Sequence, residues 1–244
     1  MYNLTSTLKD ELFRNGADLV GIGSLCELPP EIRSGMPIGI CVAVRYPASV
    51  IKGIADLPTL EYNHWYNKLN QRLDKLVVLG AEFLQMQGYE AIPQTRRAVG
   101  SGEGNNNTVL PHKTIATRAG IGWIGKTALL VTDEYGSMIR ISSILTNAPL
   151  ETSPPMNHSK CGDCMICVDA CPANAASGKI WELGLCRNDF FDPDKCRKTA
   201  QARAKQGFGG DNTICGKCIE VCPYTRQAME DKEEIHVEQQ EPGL

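Results

Sequence analysis

The sequence predicts a mixed fold: an α/β or α+β domain comes first, and a small cysteine-rich domain follows it. Helical and strand-like apolar patterns alternate up to about residue 150. Nine of the 11 cysteines, in contrast, lie between Cys161 and Cys222. The consecutive prolines Pro154 and Pro155 stop both helix and sheet, so we place the boundary there. The predicted domains are residues 1–153, residues 154–229 and an acidic tail of residues 230–244.

The elements of the first domain follow from apolar spacing and from the Gly and Pro residues that bound each run. The clearest pattern is a helix in which Trp65, Leu69 and Leu73 recur on one face. The predicted order is a helix over 5–15, strands over 18–23 and 39–45, a helix over 62–87, a strand over 89–92, a short helix over 111–119 and a hairpin of strands 127–132 and 137–145.

Composition and charge narrow the functional class. The chain has 244 residues and a net charge of −3, without the basic footprint that nucleic-acid binding usually leaves. Its N-terminus has no signal-peptide pattern, and its longest apolar run is too short to cross a membrane. We therefore expect a cytoplasmic protein with no membrane partner. In a reducing compartment, 11 cysteines favour metal ligands over disulfides.

The spacing of the first cysteines is the strongest signal in the chain. Cys161, Cys164, Cys167 and Cys171, followed by Pro172, match the run C-x₂-C-x₂-C-x₃-C-P. In bacterial ferredoxins, three cysteines of this run bind one 4Fe–4S cluster and the fourth binds the other. Zinc sites use separated C-x₂-C pairs instead, so the pattern predicts iron–sulfur clusters in a bacterial-ferredoxin-like domain.

A second, shorter run supplies further ligands: Cys215, Cys218 and Cys222, followed by Pro223. If the last cysteine of each run crosses over, eight ligands divide into two sets. The first cluster is assigned Cys161, Cys164, Cys167 and Cys222. The second is assigned Cys171, Cys215, Cys218 and either Cys196 or Cys186, of which we favour Cys196.

A glycine-rich segment, 120–127, matches two nucleotide-binding patterns. It satisfies both G-x-x-x-x-G-K-[ST] and G-x-G-x-x-G. Both motifs must follow a strand and open a helix, because the helix N-terminus holds the phosphates. Here the predicted order is reversed, with a helix before the segment and a strand after it. We interpret the segment as a turn at which the backbone closely approaches a ligand or another segment.

Taken together, the glycine–tryptophan segment 119–126, the helix 62–87 and the two cysteine runs resemble the epoxyqueuosine reductase family. The resemblance covers about residues 5 to 226. It implies an N-terminal domain similar to flavin reductases and to a cobalamin-processing protein, followed by a double 4Fe–4S domain. It also implies cobalamin as a second cofactor, reduced by the clusters. The residues that it assigns to cobalamin are Gly120, Gly122, Trp123, Gly125 and Lys126.

Two departures from the family lead to a negative prediction. The family's proton-donating aspartate falls near Asn106, which cannot donate a proton as a carboxylic acid does. Glu103 is a nearby substitute. The family's long form also has a C-terminal helical-repeat extension that binds tRNA, and this chain ends at Leu244 with an acidic segment. We therefore expect that epoxyqueuosine in tRNA is not the substrate and that tRNA is not a partner.

The predicted activity is that of an iron–sulfur oxidoreductase that passes low-potential electrons to a bound corrinoid, or through it to a small substrate. Its electron donor would be a flavodoxin or ferredoxin. Two alternatives remain open. One is an electron-transfer partner with no substrate of its own, and the other is a flavin-dependent reductase.

Overall fold

The computed structural model of the chain describes residues 3–99 and 108–238, with side chains up to residue 230. Its helices, in chain order, are α1 (Leu4–Arg14), α2 (Ala48–Lys52), α3 (Leu60–Met86), α4 (Arg96–Val99), α5 (His112–Arg118), α6 (Ile166–Asp169), α7 (Pro193–Phe208), α8 (Lys217–Glu220) and α9 (Pro223–Glu238). The helices predicted over 5–15, 62–87 and 111–119 are confirmed by α1, α3 and α5, with small differences at the ends.

The strands are β1 (Leu19–Ser24), β2 (Ile38–Arg45), β3 (Ala91–Gln94), β4 (Trp123–Ile124), β5 (Leu130–Val131) and β6 (Ile139–Thr146). Four of them form one antiparallel sheet, in the order β1-β2-β6-β3. An antiparallel sheet needs no helical crossovers between neighbouring strands, so the α+β description applies and the α/β description does not. The coarse prediction of a mixed fold is confirmed.

The predicted hairpin of strands 127–132 and 137–145 is wrong. β6 pairs along its whole length with β2, with Ile40 opposite Ile144, and its other edge pairs with β3. β5 is only two residues long. The intervening turn is closed locally, because Thr132 and Gly136 exchange two backbone hydrogen bonds of 3.0 Å. Adjacent apolar runs suggested a local partner, whereas β6 gains more hydrogen bonds from two distant strands.

The described fold divides into two compact units, and each unit is built from three separate stretches of the chain. We call them the sheet unit, Met1–Arg45, Tyr66–Ile124 and Ile139–Ser159, and the cysteine unit, Tyr46–Trp65, Gly125–Met138 and Lys160–Leu244. Segments 46–65 and 125–138 thus cluster with the cysteine-rich region, although they precede the boundary at Pro154. The predicted domain limits of 1–153 and 154–229 stay a prediction.

Apolar burial holds the sheet unit together. Of the stripe predicted on α3, Leu69 and Leu73 are buried and Trp65 is half-buried. Helix α5 packs against strands β1 and β2, and its residue Ile115 is fully buried. Gly23 in β1 allows this close approach, because a Cβ there would overlap the backbone of Arg118 at the end of α5.

The end of the described chain is helical. α9 continues to Glu238, so the described part of the predicted acidic tail is helical. Among the described helices, none combines the length and the apolar character that a membrane span requires.

Candidate functional site

Four thiols meet in the first group. Burial raises the pKa of Cys167 to about 11, and the neighbouring thiols of Cys222, Cys161 and Cys164 raise it further. Burial also raises the pKa of Cys222, to which Cys161 contributes. The structure therefore brings together the four cysteines predicted to bind the first cluster, although Cys222 comes from the second run. The assignment of these residues as iron ligands stays a prediction.

A second group forms around Cys196. Burial raises the pKa of Cys196 to about 11, with further contributions from Cys171 and Cys215. The pKa of Cys218 is raised by burial and then by Cys215 and Cys196. This is the set predicted for the second cluster with Cys196 as its fourth member. Cys167 also acts on Cys218, so the two groups are close neighbours.

Cys186 differs from these eight cysteines in its surroundings. It is exposed, and it immediately precedes the 3-10 turn Arg187–Asp189. Cys196 is partly buried within α7. The structure thus keeps Cys196 with the second group and leaves Cys186 at the surface, which supports the preference for Cys196 as eighth ligand.

Short loops and helices place the thiols. α6 and α8 have four residues each, and they contact one another. Gly162, between Cys161 and Cys164, has φ +49°, and Gly216, between Cys215 and Cys218, has φ +79°. Residues with a Cβ rarely adopt this left-handed conformation, so each glycine permits a tight turn in a cysteine loop.

A buried carboxylate fixes the segment between Cys218 and Cys222. Glu220 accepts hydrogen bonds from Lys217 Nζ at 2.9 Å and from Arg226 at 2.8 Å. Lys217 Nζ also donates to the backbone oxygen of Ala55 at 2.7 Å. A buried charge needs partners to offset its desolvation, and these contacts supply them. They also tie α8 to segment 46–65 of the same unit.

The chemistry of the two groups suits iron–sulfur clusters. Within the described ranges, no three or more His, Cys, Asp or Glu side chains converge on a single metal ion. A 4Fe–4S cluster instead offers a separate iron to each thiolate, so its ligands stand farther apart. Because burial raises the pKa of Cys167, Cys196, Cys218 and Cys222, loading iron at these four thiols must release protons.

The glycine–tryptophan segment does not form an open cradle for a flat ligand. Trp123 is fully buried. A Cβ on Gly120 would meet the backbone oxygen of Pro154, and one on Gly125 would lie 2.9 Å from Val131 and 3.7 Å from Cys161 Sγ. Gly122 and Lys126 are also buried. The small residues thus let protein segments pack closely, and their contacts do not support cobalamin binding at the residues predicted for it.

The arginine that precedes this segment is also engaged within the protein. Arg118 is buried, forms an ion pair with Glu27, and donates to the backbone oxygen of Met156 at 2.9 Å. It lines a cavity of about 350 Å³ with Ser24 and residues 152–155. The two candidates for the proton donor, Asn106 and Glu103, lie outside the described residues.

The predicted site missed two residues, one that contacts a cysteine and one that lies between two cysteines in sequence. The Thr127 side chain makes a hydrogen bond with Cys218 that lowers the thiol's pKa against the larger effect of burial. Met165, between two cysteines of the first run, is 3.4 Å from Lys126 Nζ. The sequence Gly-Lys-Thr matches a phosphate-binding motif, and spacing alone does not show that these residues lie beside cysteines that come later in the chain.

A family comparison agrees with the cysteine pattern. Residues 160–225 match the family described as "4Fe-4S double cluster binding domain". The prediction of a double 4Fe–4S domain is confirmed at this level.

Curated relatives agree with the resemblance to epoxyqueuosine reductases. The chain is 38% identical over 118 residues to the epoxyqueuosine reductase of Listeria monocytogenes, covering 46% of this chain and 29% of that one. It is 35% identical over 168 residues to that of Bacillus subtilis, covering 66% and 38%. A match to the Bacillus anthracis protein is 27% identical and covers 81% and 50%. The chain thus spans between about a third and a half of these relatives.

Solved structures share the fold. A reductive dehalogenase, studied for B12-dependent dehalogenation, has a TM-score of 0.70 at 16% identity and covers 95% of this chain and 34% of that one. An epoxyqueuosine reductase bound to an epoxyqueuosine-modified tRNA stem loop has a TM-score of 0.61 at 20% identity and covers 91% and 65%. The likeness of the N-terminal domain to flavin reductases is not confirmed by these comparisons.

The negative prediction about substrate and partner is wrong. We expected neither epoxyqueuosine nor tRNA, yet the curated relatives are named epoxyqueuosine reductases, and one solved neighbour holds a modified tRNA stem loop. The prediction relied on one asparagine counted from a distant motif and on where the chain ends. Neither observation outweighs similarity along most of the chain.

Proposed function

We propose that this chain binds two 4Fe–4S clusters and uses their electrons to reduce epoxyqueuosine in tRNA. The observation that supports it most is the gathering of eight cysteines, seven from the two runs and Cys196 from α7, into two adjacent groups of four. The similarity to epoxyqueuosine reductases supplies the substrate. The chain itself spans only part of each of these relatives.

The cysteine groups would supply the electrons. Cys161, Cys164, Cys167 and Cys222 would hold one cluster, and Cys171, Cys196, Cys215 and Cys218 the other. Bound clusters of this type exchange single electrons at low potential. Reduction of an epoxide consumes two electrons and two protons, so two adjacent one-electron sites match the demand. The contact of α6 with α8 keeps the two groups together.

The protons must come from a different part of the chain. Buried thiols that become iron ligands have no protons to give. We place the proton donor in segment 100–107, where Glu103 is the carboxylic acid and Asn106 occupies the position counted from the family pattern. A carboxylic acid can donate a proton in the transition state, and an amide cannot. The choice between them is testable with Glu103→Gln.

The remaining sequence predictions concern cofactor, donor and location. Cobalamin stays a prediction without support from the contacts of the glycine segment, and the proposed reduction includes no step that uses it. A flavodoxin or ferredoxin would deliver the electrons. A reducing cytoplasm would keep the cysteines available for iron.

One assay tests the proposed function. The anaerobically reconstituted chain is mixed with a chemical reductant and with tRNA carrying epoxyqueuosine, and the nucleosides are then measured by mass spectrometry. We expect loss of epoxyqueuosine with wild-type protein and none with Cys167→Ser. Parallel reactions with added cobalamin, and visible spectra of the loaded protein, show whether a corrinoid or a flavin takes part. A protein with both clusters loaded and no turnover under any of these conditions would refute the proposal in favour of an electron-transfer partner.

A further inference from the structure

The segment Gly125-Lys126-Thr127 reaches both cysteine groups within the cysteine unit. A Cβ on Gly125 would lie 3.7 Å from Cys161 Sγ, in the first group. The hydroxyl of Thr127 makes a hydrogen bond with Cys218, in the second group. Lys126 lies between these two neighbours. These three residues, which match a phosphate-binding motif in sequence, therefore lie near both groups of thiols.

Lys126 is buried, and its side chain contacts the loop that carries the first group. Only 3% of the residue is exposed, and its Nζ is 3.4 Å from the Sδ atom of Met165, which lies between Cys164 and Cys167 in sequence. A thioether is a weak acceptor and carries no charge. In the part of the chain that the structure describes, Lys126 has no carboxylate within ion-pair distance. A buried lysine without a counter-charge is costly, so an anion nearby would offset its desolvation.

We propose that Lys126 is the counter-charge of the first cluster and sets its reduction potential, while Thr127 tunes the second cluster. Four thiolates make a bound cluster anionic, and reduction adds one negative charge. A fixed cation in a poorly solvated site therefore stabilises the reduced form more than the oxidised form. A hydroxyl donating to a ligand sulfur acts in the same direction on its own cluster.

The inference predicts that two adjacent residues act on different clusters, Lys126 on the first and Thr127 on the second. Removing the charge of Lys126 lowers the potential of the first cluster more than that of the second. Removing the hydroxyl of Thr127 lowers the potential of the second cluster more than that of the first. Both are positioning residues and not iron ligands. The inference rests on the two clusters of the proposed function and is independent of the tRNA substrate.

The test is a redox titration of the anaerobically reconstituted full chain, followed by electron paramagnetic resonance. The variants are Lys126→Met, which keeps length and apolar bulk without charge, Lys126→Gln, Lys126→Arg, Thr127→Val and Thr127→Ser. Cys196→Ser, which removes a ligand of the second cluster, assigns the two signals. Iron content is measured for every variant, so that a change in potential is read only from loaded protein.

For Lys126→Met, we expect the one-electron reduction equilibrium of the first cluster to become at least tenfold less favourable, a shift of about 59 mV to more negative potential. Lys126→Gln should shift the potential in the same way. Lys126→Arg keeps the positive charge, so the potential of the first cluster should stay at the wild-type value. Thr127→Val should shift the second cluster in the same direction, and Thr127→Ser should not.

Three results would overturn the inference. One is an unchanged first-cluster potential in a fully loaded Lys126→Met or Lys126→Gln protein. Another is an equal shift of both clusters in both the lysine and the threonine variants. The third is loss of iron in all three lysine variants, Arg included, because Lys126 would then serve packing alone. Wild-type protein that fails to load iron would instead refute the proposed function, so the two failures are distinguishable.

Discussion

The sheet unit and the cysteine unit are stabilised in different ways. The sheet unit has a long helix, a four-stranded antiparallel sheet and a core of fully buried residues such as Ile40 and Ile144. In the cysteine unit, the ligand loops are carried by the four-residue helices α6 and α8. Helices this short do not persist on their own. The comparison indicates that the sheet unit is held by apolar burial, whereas the ligand loops depend on iron.

Removing iron should have the largest effect, and it should fall on one unit. Chelation under anaerobic conditions is expected to abolish amide-hydrogen protection in α6 and α8, because metal binding there contributes to folding. Protection in β2 and β6 should remain. Hydrogen exchange followed by mass spectrometry measures both regions in the same sample. Equal loss of protection in the sheet would show that the two units do not differ in this way.

Changing the eighth ligand should have the next largest effect. Cys196→Ser is expected to lose or convert one cluster, reducing iron from about eight to about four atoms per chain if the cluster is lost. Cys186→Ser is the matched control and should keep both clusters. Iron analysis and electron paramagnetic resonance check both variants. The reverse outcome would exchange the roles of the two cysteines and leave the other seven assignments in place.

A substitution in the sheet unit should affect stability without affecting iron. In Gly23→Ala, the new Cβ would overlap the backbone of Arg118, and we expect a loss of about 1–3 kcal/mol in the free energy of unfolding. Gly53→Ala is the control, because a Cβ there has no neighbour closer than 3.4 Å. Denaturant unfolding and iron analysis measure the two effects. Loss of iron from Gly23→Ala would contradict the separate origins of stability.

The smallest predicted effect is a pH dependence that belongs to the sheet unit. Burial, and then the charge of Arg140, lower the pKa of His112 to about 4, while Asp74 acts in the opposite direction. The ring Nδ1 is 2.8 Å from Ser143 Oγ. Because the folded protein binds this proton less readily than the unfolded chain, His112 contributes stability that is present above about pH 6.5 and lost as the pH falls towards 4.

The variant His112→Asn tests this contribution, since it keeps a polar group near Ser143 but does not titrate. Its free energy of unfolding should fall less steeply than that of the wild type between pH 6.5 and pH 4. Denaturant unfolding at several pH values gives the two slopes. Identical slopes would mean that His112 makes no net contribution in this range.

Local patterns predicted much of the fold. Apolar spacing was sufficient for α1, α3 and α5, because each buries one stripe of side chains. Apolar spacing failed at the predicted hairpin, because β6 pairs with β2 and β3, which are remote in sequence. Local spacing carries no information about such distant partners. The antiparallel order of the sheet is likewise a property of all four strands together.

The candidate site divides in the same way. Cysteine spacing predicted the two groups, since ligand geometry constrains the residues between thiols. The environment of the glycine segment was not predictable, because Gly125 and Thr127 meet cysteines that come later in the chain. The substrate prediction failed for a different reason: it rested on the identity of Asn106 and on the end of the chain, and neither identifies the substrate.

The central claim is that the last cysteine of each run binds the cluster that the other run mainly holds. The variant Cys171→Ser tests this claim most directly. Cys171 belongs to the first run by sequence and to the second group by position, next to Cys196. Electron paramagnetic resonance of the reconstituted variant, with iron analysis, is the measurement. The account predicts that the second cluster is lost or altered while the first cluster retains its signal. An unchanged second cluster, or damage to the first cluster alone, would contradict it.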